Sequence, residues 1–221
     1  RNSSLIYSDQ IGERVAAMGF ESMLTDGAKH VLGWKSPNFV YTNVMNPRLK
    51  LLLKNSRLSD DLTLRFSDHS WHEWPLTADK YARWLKDSTQ DSEIVNLFMN
   101  YETFGENQLA ETGIFEFMRS LPEYIFSTTD FEFLTPSEAV KKHQPVAPLH
   151  VPYPISWADE EKDITGWLGN ELQNEAFEEL FKIQPKVEEL NDPELNEDYS
   201  RLQASDHFYY MRTKLFSDND Y

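Results

Sequence analysis

The sequence predicts an α/β fold followed by a helical segment, and three observations support this prediction. Short apolar runs suited to buried strands recur along the first part of the chain at intervals of roughly 25 to 40 residues. Capped, helix-like stretches lie between these runs, as in βαβ units that build a parallel sheet. After Pro154 the strand-like runs stop and charge-rich helical patterns begin. We therefore expect a β/α domain over residues 1–154 and a helical subdomain over residues 155–221.

The predicted strands are short and apolar, and the second of them can also be read as a loop. They are residues 20–24, 39–42, 62–66, 94–99 and 131–134.

The predicted helices are placed by their capping signals. Ser8 can cap a helix that runs to about Met18, and the glycine that follows supplies a left-handed stop. Thr135 followed by Pro136 marks the start of another helix. Pro122 is expected to end a helix that occupies residues 111–121. Further helices are predicted over residues 78–86 behind the cap Thr77, 171–182 and 193–216.

Composition excludes several classes of protein. The chain has 221 residues with 37 acidic and 21 basic side chains, a formal net charge of −16, which disfavours nucleic acid and anionic membrane surfaces as partners. It contains no cysteine, so disulfides and thiolate metal sites are absent, and a cytoplasmic location is expected. No window reaches the roughly 18 apolar residues of a membrane span.

Two polar loops follow predicted strands, where parallel α/β folds place their sites. The first carries Asp26 and His30, and the second runs from Asn100 to Gln108 and carries Glu102. Hydrolysis of a glycosidic bond needs two acid groups, one that attacks or stabilises the anomeric carbon and one that protonates the leaving oxygen. Asp26 is a candidate for the first group. Trp34 can stack on a sugar ring or pack in the core.

Four long strings carry a resemblance to a known family. GFESMLTDGAKHVLGWKSPN (residues 19–38) contains Asp26, and LFMNYETFGENQ (97–108) contains Asn100 and Glu102. ISWADEEKDITGWLGNELQ (155–173) and QASDHFYYM (203–211) lie in the helical part. Together these strings resemble glycoside hydrolase family 57, in its α-amylase and α-amylase-like members, over the whole length of the chain.

The resemblance implies a partial (β/α)7 barrel followed by a helical bundle, with a retaining mechanism on α-glucans and no required cofactor. It implies that Asp26 occupies the nucleophile position, where the family usually has Glu, and Asn100 the general acid/base position, usually Asp. It also implies that the family's first region lies upstream of Arg1, so a barrel segment of the same protein is expected to be missing.

Both departures from the family pattern weaken the expected chemistry. Asp26 keeps the charge but is one methylene shorter than Glu, and a misplacement of about 1 Å can cost ~100-fold in rate. Asn100 can donate a hydrogen bond but cannot deliver a proton near neutral pH, and loss of general acid/base work typically costs ~100- to 10,000-fold. Glu102 is a possible substitute acid.

Each candidate has an alternative role. Taken alone, Asp26 before Gly27 is a turn residue, Asn100 satisfies loop backbone, and His30 closes a turn. In the helical part, substrate contact competes with a purely structural role at four positions. Asp163 and Trp167 can be a capped helix start with a buried indole, and Asp206 and His207 can form hydrogen bonds between helices.

Two functions therefore remain open at this stage. One is an α-amylase-like hydrolase of weak activity acting on starch, glycogen or maltooligosaccharides. The other is a catalytically inactive homologue that binds α-glucan. No metal site is expected, because His69, His72 and Glu73 match no standard ligand spacing.

Overall fold

The computed structural model describes residues 1–213, which divide into two compact units. The first unit is Arg1–Trp157 and the second begins at Ala158. The division of the chain into two domains after residue 154 remains a prediction.

The first unit contains a four-stranded mixed sheet in the order β1-β3-β2-β4. The strands are β1 (Ser22–Asp26), β2 (Tyr41–Asn43), β3 (Lys50–Lys54) and β4 (Ala147–Leu149). The pairs β1–β3 and β2–β4 are parallel, while β2–β3 is antiparallel. The fold is thus mixed α/β, and the expectation of an all-parallel sheet is wrong at the β2–β3 pair. The connection between these strands is too short for a parallel crossover.

The antiparallel pair gives the sheet two chemically distinct edges, by which we mean the two sides where its strands begin and end. The carboxyl ends of β1 and β3, at Asp26 and Lys54, are partners in one register and lie at one edge. Thr42 in β2 pairs with Lys50, the first residue of β3, so β2 and β4 end at the opposite edge. We call these the Asp26 edge and the Asn43 edge.

The helices of the first unit pack on this sheet and on one another. They are α1 (Asp9–Ala17), α2 (Lys29–Leu32), α3 (Ser56–Thr63), α4 (Ala78–Asp87), α5 (Ile114–Thr128) and α6 (Pro136–Lys142). Short 3-10 turns occupy Ser3–Leu5, Tyr101–Thr103 and Ala110–Thr112. The predicted caps of α1 and α6 are confirmed: the Ser8 side chain accepts a hydrogen bond from Ile11 N, and Thr135 and Glu138 form a capping box.

Besides a small group formed by Val40, Leu52, Ala139 and Val140, two larger apolar clusters hold the first unit together. One lies around the sheet and joins Tyr7, Leu51 and Val151. The other lies between α3, α4 and α5, with Leu58, Tyr81 and Phe117 among its members. Burial of these side chains fixes both the sheet and the helix α3 that follows its Asp26 edge.

A buried polar network organises the Asn43 edge. Asp9 accepts hydrogen bonds from the backbone N–H of Val151 at 2.9 and 3.0 Å, and the His150 ring lies 2.7 Å from the same carboxylate. Asn43 donates to the Tyr7 hydroxyl at 2.7 Å and to the Asp9 carbonyl at 2.9 Å. The network ties the start of α1 to the ends of β2 and β4.

The second unit is helical in its described part. Its helices are α7 (Thr165–Leu168), α8 (Glu171–Leu190), α9 (Pro193–Leu202) and α10 (Ser205–Tyr209). Leu180, Tyr199 and Phe208 form its small core. The predicted helix over residues 193–216 is divided between α9 and α10, and its last residues lie outside the described part of the chain.

Two predicted strands are wrong and a third is reduced to a bridge. Residues 62–66 begin inside α3, because Leu58 and Leu62 are buried at helical spacing and Asn55 caps the first turn. Residues 131–134 form no strand, and Phe133 is largely exposed. Residues 94–99 contribute one parallel bridge, Asn96 to Lys54.

Pro122 does not end α5, which continues to Thr128. A proline inside a helix costs about 3 kcal/mol. The buried face nevertheless repeats at Ile114, Phe117, Leu121 and Ile125, on both sides of the proline. Packing of that face outweighs the local cost, since burying one such side chain contributes roughly 1.5–3 kcal/mol.

Candidate functional site

Asp26 is the last residue of β1 and is almost fully buried. The Ser56 hydroxyl lies 3.3 Å from each of its carboxylate oxygens and donates to them. The next residue must be small, because a Cβ on Gly27 would sit 2.4 Å from the Lys54 carbonyl oxygen. The carboxylate is therefore held at a tightly packed strand end, where its orientation is restricted.

Lys54 lies beside Asp26 at the same edge of the sheet. The two residues are register partners in the parallel β1–β3 ladder, so their side chains leave the sheet on the same face. The Lys54 side chain is only 6% exposed, and its Nζ lies 3.1 Å from Asp60 Oδ1. The same Nζ lies 5.1 Å from the centre of the Trp157 ring, a cation–π distance. A buried cation thus stands next to the candidate nucleophile.

The segment after residue 93 runs alongside the end of β3. Asn55 N donates to the Asn96 carbonyl at 2.9 Å, and the Asn96 side chain donates to the Leu53 carbonyl at 3.1 Å. Phe98 N donates to the Ser59 hydroxyl at 3.1 Å. These bonds place Asn96 in one row with Lys54 and Asp26 at the Asp26 edge.

Asn100 follows Asn96 by four residues and is exposed. It precedes the 3-10 turn Tyr101–Thr103, and its carbonyl accepts from Thr103 N at 3.2 Å. Glu102 is also exposed, and its carbonyl accepts from the backbone N–H of Asn107 at 2.8 Å. The segment before Asn100 therefore lies at the Asp26 edge, and the side chains of Asn100 and Glu102 are at the surface.

His30 and Trp34 lie on and just after α2, the short helix that follows Asp26. Both are exposed, and Trp34 is 93% exposed. The indole of Trp34 is therefore not part of the core, and it remains available to a ligand.

In the second unit, Asp163 and Trp167 make structural contacts. Asp163 accepts hydrogen bonds from the backbone and hydroxyl of Thr165 at 2.8 and 2.6 Å, at the start of α7. Trp167 is partly buried and packs 5.6 Å from the Tyr209 ring. Both residues thus contact other residues of the second unit, and their contact with a sugar remains a proposal.

Asp206 and His207 lie exposed on α10. The His207 Nε2 is 3.2 Å from the Arg201 carbonyl at the end of α9, so His207 links two helices.

Sequence reasoning missed Lys54, Ser56 and Trp157 around Asp26. A signal for Lys54 was present, because it ends the apolar run of β3 and a charged residue at a strand end indicates a site. The contacts of Ser56 and Trp157 depend on tertiary packing and have no local signature.

Helix α3 also holds a buried carboxyl group with a shifted pKa. Asp61 is buried, and burial raises the pKa of its carboxyl above the ordinary value, although Arg65 lies 2.5 Å away and opposes the shift. Among residues 1–213, no cluster of three or more His, Asp or Glu side chains is arranged to hold a metal ion. In the same described range, every helix is too short or too polar to cross a membrane.

Comparison with known proteins assigns the family. The family model "Glycosyl hydrolase family 57" matches residues 1–152, more than half of the chain. The chain belongs to glycosyl hydrolase family 57.

A relative in Methanocaldococcus jannaschii, named "Putative alpha-amylase", is 42% identical over 228 residues, which covers 99% of this chain and 48% of that protein. The chain thus spans about half the length of this curated relative. No solved structure matches this chain.

Proposed function

We propose that this chain forms part of a glycoside hydrolase site for α-glucans, with Asp26 at the nucleophile position and Asn100 at the general acid/base position. The observation that carries the proposal is the row at the Asp26 edge. There a buried carboxylate, a buried cation and the segment leading to Asn100 lie side by side. Family membership supports the sugar chemistry, and the name of the archaeal relative supports α-glucan as the substrate class.

The site is proposed to belong to a partial (β/α)7 barrel, completed by a segment of the same protein outside residues 1–221. The mixed sheet supplies the strand ends, and a helical subdomain starting near residue 155 follows. His30, Trp34 and Glu102 are proposed to contact glucan from the first unit. Asp163, Trp167, Asp206 and His207 are proposed contacts from the second.

The two catalytic positions differ in how much of the retaining reaction they can still perform. Asp26 can attack the anomeric carbon, and its carboxylate then carries the glycosyl group. The departing sugar oxygen needs a proton, which the Asn100 amide cannot supply. The second step needs a general base to activate water, and the amide fails there too. We therefore propose weak turnover on natural glucans, with protonation and water activation as the missing functions.

Lys54 is proposed to support the first step. Its ammonium stands in register with Asp26 and is fixed by Asp60 and Trp157. A cation beside a buried carboxylate offsets part of the cost of burying its negative charge. The short Asp26 side chain and the missing proton donor still limit this step on natural glucans.

A second candidate function is glucan binding without turnover. The specific observation that favours it is the pair of altered side chains, because a shortened carboxylate and an amide still donate and accept hydrogen bonds to hydroxyls. The two functions use the same side chains and differ in proton chemistry.

The experiment compares a natural glucan with a substrate that needs no acid. Maltotriose requires protonation of its leaving oxygen, whereas α-maltosyl fluoride releases fluoride without it. The full-length protein should cleave maltotriose slowly and release a stoichiometric burst of fluoride from α-maltosyl fluoride. Added azide should speed turnover and give a maltosyl azide of retained configuration, since it replaces the unactivated water.

The matched variants are Asn100→Asp and Asn107→Asp, which add the same charge to the same loop. Asn100→Asp, combined with Asp26→Glu, should raise maltotriose cleavage by about 100-fold or more and remove the azide effect. Asn107→Asp should leave both rates unchanged. Efficient maltotriose turnover by the native protein would contradict the weak-activity proposal. A fluoride release that survives Asp26→Ala would contradict the nucleophile assignment.

A further inference from the structure

A cavity with both polar and apolar walls, separate from the Asp26 carboxylate, lies between α3 and α4. Its volume is about 230 Å³, and it is lined by Asn55, Arg57, Leu58, Trp84, Asp87 and Ser88. This volume leaves room for several water molecules. That space suits one sugar ring and is too small for a long chain segment.

The walls of this cavity are fixed by one buried residue, Asn38. Asn55 donates from its side chain to Asn38 Oδ1 at 3.0 Å, and Asn38 donates to the Ser88 carbonyl at 2.9 Å. Asn38 therefore bridges the start of α3 and the end of α4, which form opposite walls. Such a bridge holds the opening in one shape before any ligand arrives, which reduces the ordering cost of binding.

Two charged side chains line the cavity, one from α3 and one from α4. Within residues 1–213, the guanidinium of Arg57 and the carboxylate of Asp87 form no hydrogen bond or ion pair, and both residues are exposed. By contrast, Arg83 and Asp79 on the outer face of α4 pair with each other at 3.0 Å. Arg57 and Asp87 thus present a planar donor and a planar acceptor to whatever enters.

The charge balance of the cavity selects the ligand class. A phosphate or carboxylate would meet Asp87, and a cation would meet Arg57, so neither is favoured over the other. A neutral polyol can accept from Arg57 and donate to Asp87 at the same time. The half-buried indole of Trp84 adds an apolar wall, the combination of polar and aromatic groups typical of ligand pockets.

We propose that this cavity is an accessory binding site for one glucose unit of an α-glucan, held by Arg57 and Asp87 against Trp84. This inference rests on the proposed function for its choice of sugar. The site adjoins the Asp26 edge through Asn55, whose neighbours in sequence are Lys54 and Ser56. A glucan held here would raise the local concentration of substrate near the proposed reaction centre.

The test is retardation of the full-length protein in native gels that contain glycogen, with α-maltosyl fluoride turnover measured in parallel. Arg57→Ala and Asp87→Ala should each weaken the apparent affinity for glycogen by about tenfold, since each loses a hydrogen bond to a charged group. Turnover of the small fluoride should stay within about twofold of the native rate. The control variants Arg83→Ala and Asp79→Ala, on the same helix but outside the cavity, should be retarded like the native protein.

The outcomes separate this inference from the proposed function. Unchanged retardation of both cavity variants overturns the accessory site. Fluoride turnover without any retardation of the native protein also overturns it and leaves the proposed function standing. Absence of both turnover and retardation refutes the two together. Loss of retardation in the Arg83 and Asp79 controls as well would show a general effect of α4 and overturn the assignment to the cavity.

Discussion

Ser56, the first residue of α3, donates its hydroxyl to the Asp26 carboxylate, with 3.3 Å to each oxygen. The bond joins the end of β1 to the helix that follows β3, and it orients the proposed nucleophile. Because both distances are long for a hydroxyl donor, the bond contributes modestly to stability.

Ser56→Ala should therefore lower the free energy of unfolding by about 0.5–1.5 kcal/mol. Urea denaturation with a constant m-value would measure this change. Ser137→Ala, at an exposed position in α6, is the matched control and should change stability by less than about 0.5 kcal/mol. Equal losses in the two variants would show that the bond to Asp26 is not the cause.

Lys54→Met should destabilise the protein by about 2–3 kcal/mol. The change removes one partner of a largely buried ion pair, which costs about 3–5 kcal/mol when both partners are fully buried, and Asp60 is 23% exposed. It should also lower the rate of fluoride release from α-maltosyl fluoride, because Asp26 loses the neighbouring cation.

The comparison for Lys54→Met is Lys80→Met, which removes the Lys80–Glu73 pair at 2.6 Å. That pair is more exposed, with side-chain exposures of 24% and 36%, so a loss of about 1 kcal/mol or less is expected. Thermal unfolding of both variants at low and high salt would check the contrast. A larger loss for Lys80→Met would invert the expected order and refute the prediction.

Asp9→Ala should cost about 3 kcal/mol, since the backbone N–H of Val151 would lose its buried acceptor. His150→Ala should cost about 1 kcal/mol or less, because that side chain is 70% exposed and its ion pair is screened by water. Denaturation of the two variants side by side separates the backbone bonds from the ion pair. Matching losses would indicate that the contact with His150 dominates.

Stability should fall in alkaline solution, and Tyr7 should contribute. Burial raises the pKa of Tyr7 from 10.0 to about 12, while the hydrogen bond from Asn43 lowers it and the charge of Asp9 raises it further. Because the folded pKa exceeds the unfolded one, the stabilisation is complete below about pH 10 and is lost as the pH rises towards 12. The loss from this residue alone should approach about 2–3 kcal/mol.

Tyr7→Phe should flatten this alkaline decline, at a cost of about 1 kcal/mol near neutral pH for the lost hydrogen bond. Urea unfolding across the range from about pH 8 to 11.5 would measure the slope. Tyr101→Phe, at a tyrosine that is 93% exposed, is the control and should follow the native curve. An unchanged slope in Tyr7→Phe would assign the decline to the other buried tyrosines, such as Tyr41 and Tyr81.

Local signals predicted the helix caps and the first strand well. Ser8 and Thr135 cap the helices that the sequence assigns to them, and β1 lies two residues from its expected position. Those features depend on neighbouring side chains, which the sequence displays directly. Asp26 emerged as a candidate for the same reason, because it follows a short apolar run.

Features set by tertiary packing were harder to predict. Residues 62–66 look like a strand until Leu58 is included, and the helical spacing then becomes visible. Pro122 is a helix breaker in isolation, yet the buried face of α5 carries the helix through it. The contact between Lys54 and Trp157 joins residues about a hundred positions apart, and no window of sequence contains both.

The opposed strand directions of the sheet have a practical consequence for protein engineering. The Asn43 edge, where Asp9, Tyr7 and Asn43 form hydrogen bonds, lies opposite the Asp26 edge, which holds Asp26 and Lys54. Substitutions for heat tolerance can therefore be screened around Asp9 while the proposed turnover of α-maltosyl fluoride serves as an independent readout, because the two edges share strands but not side chains.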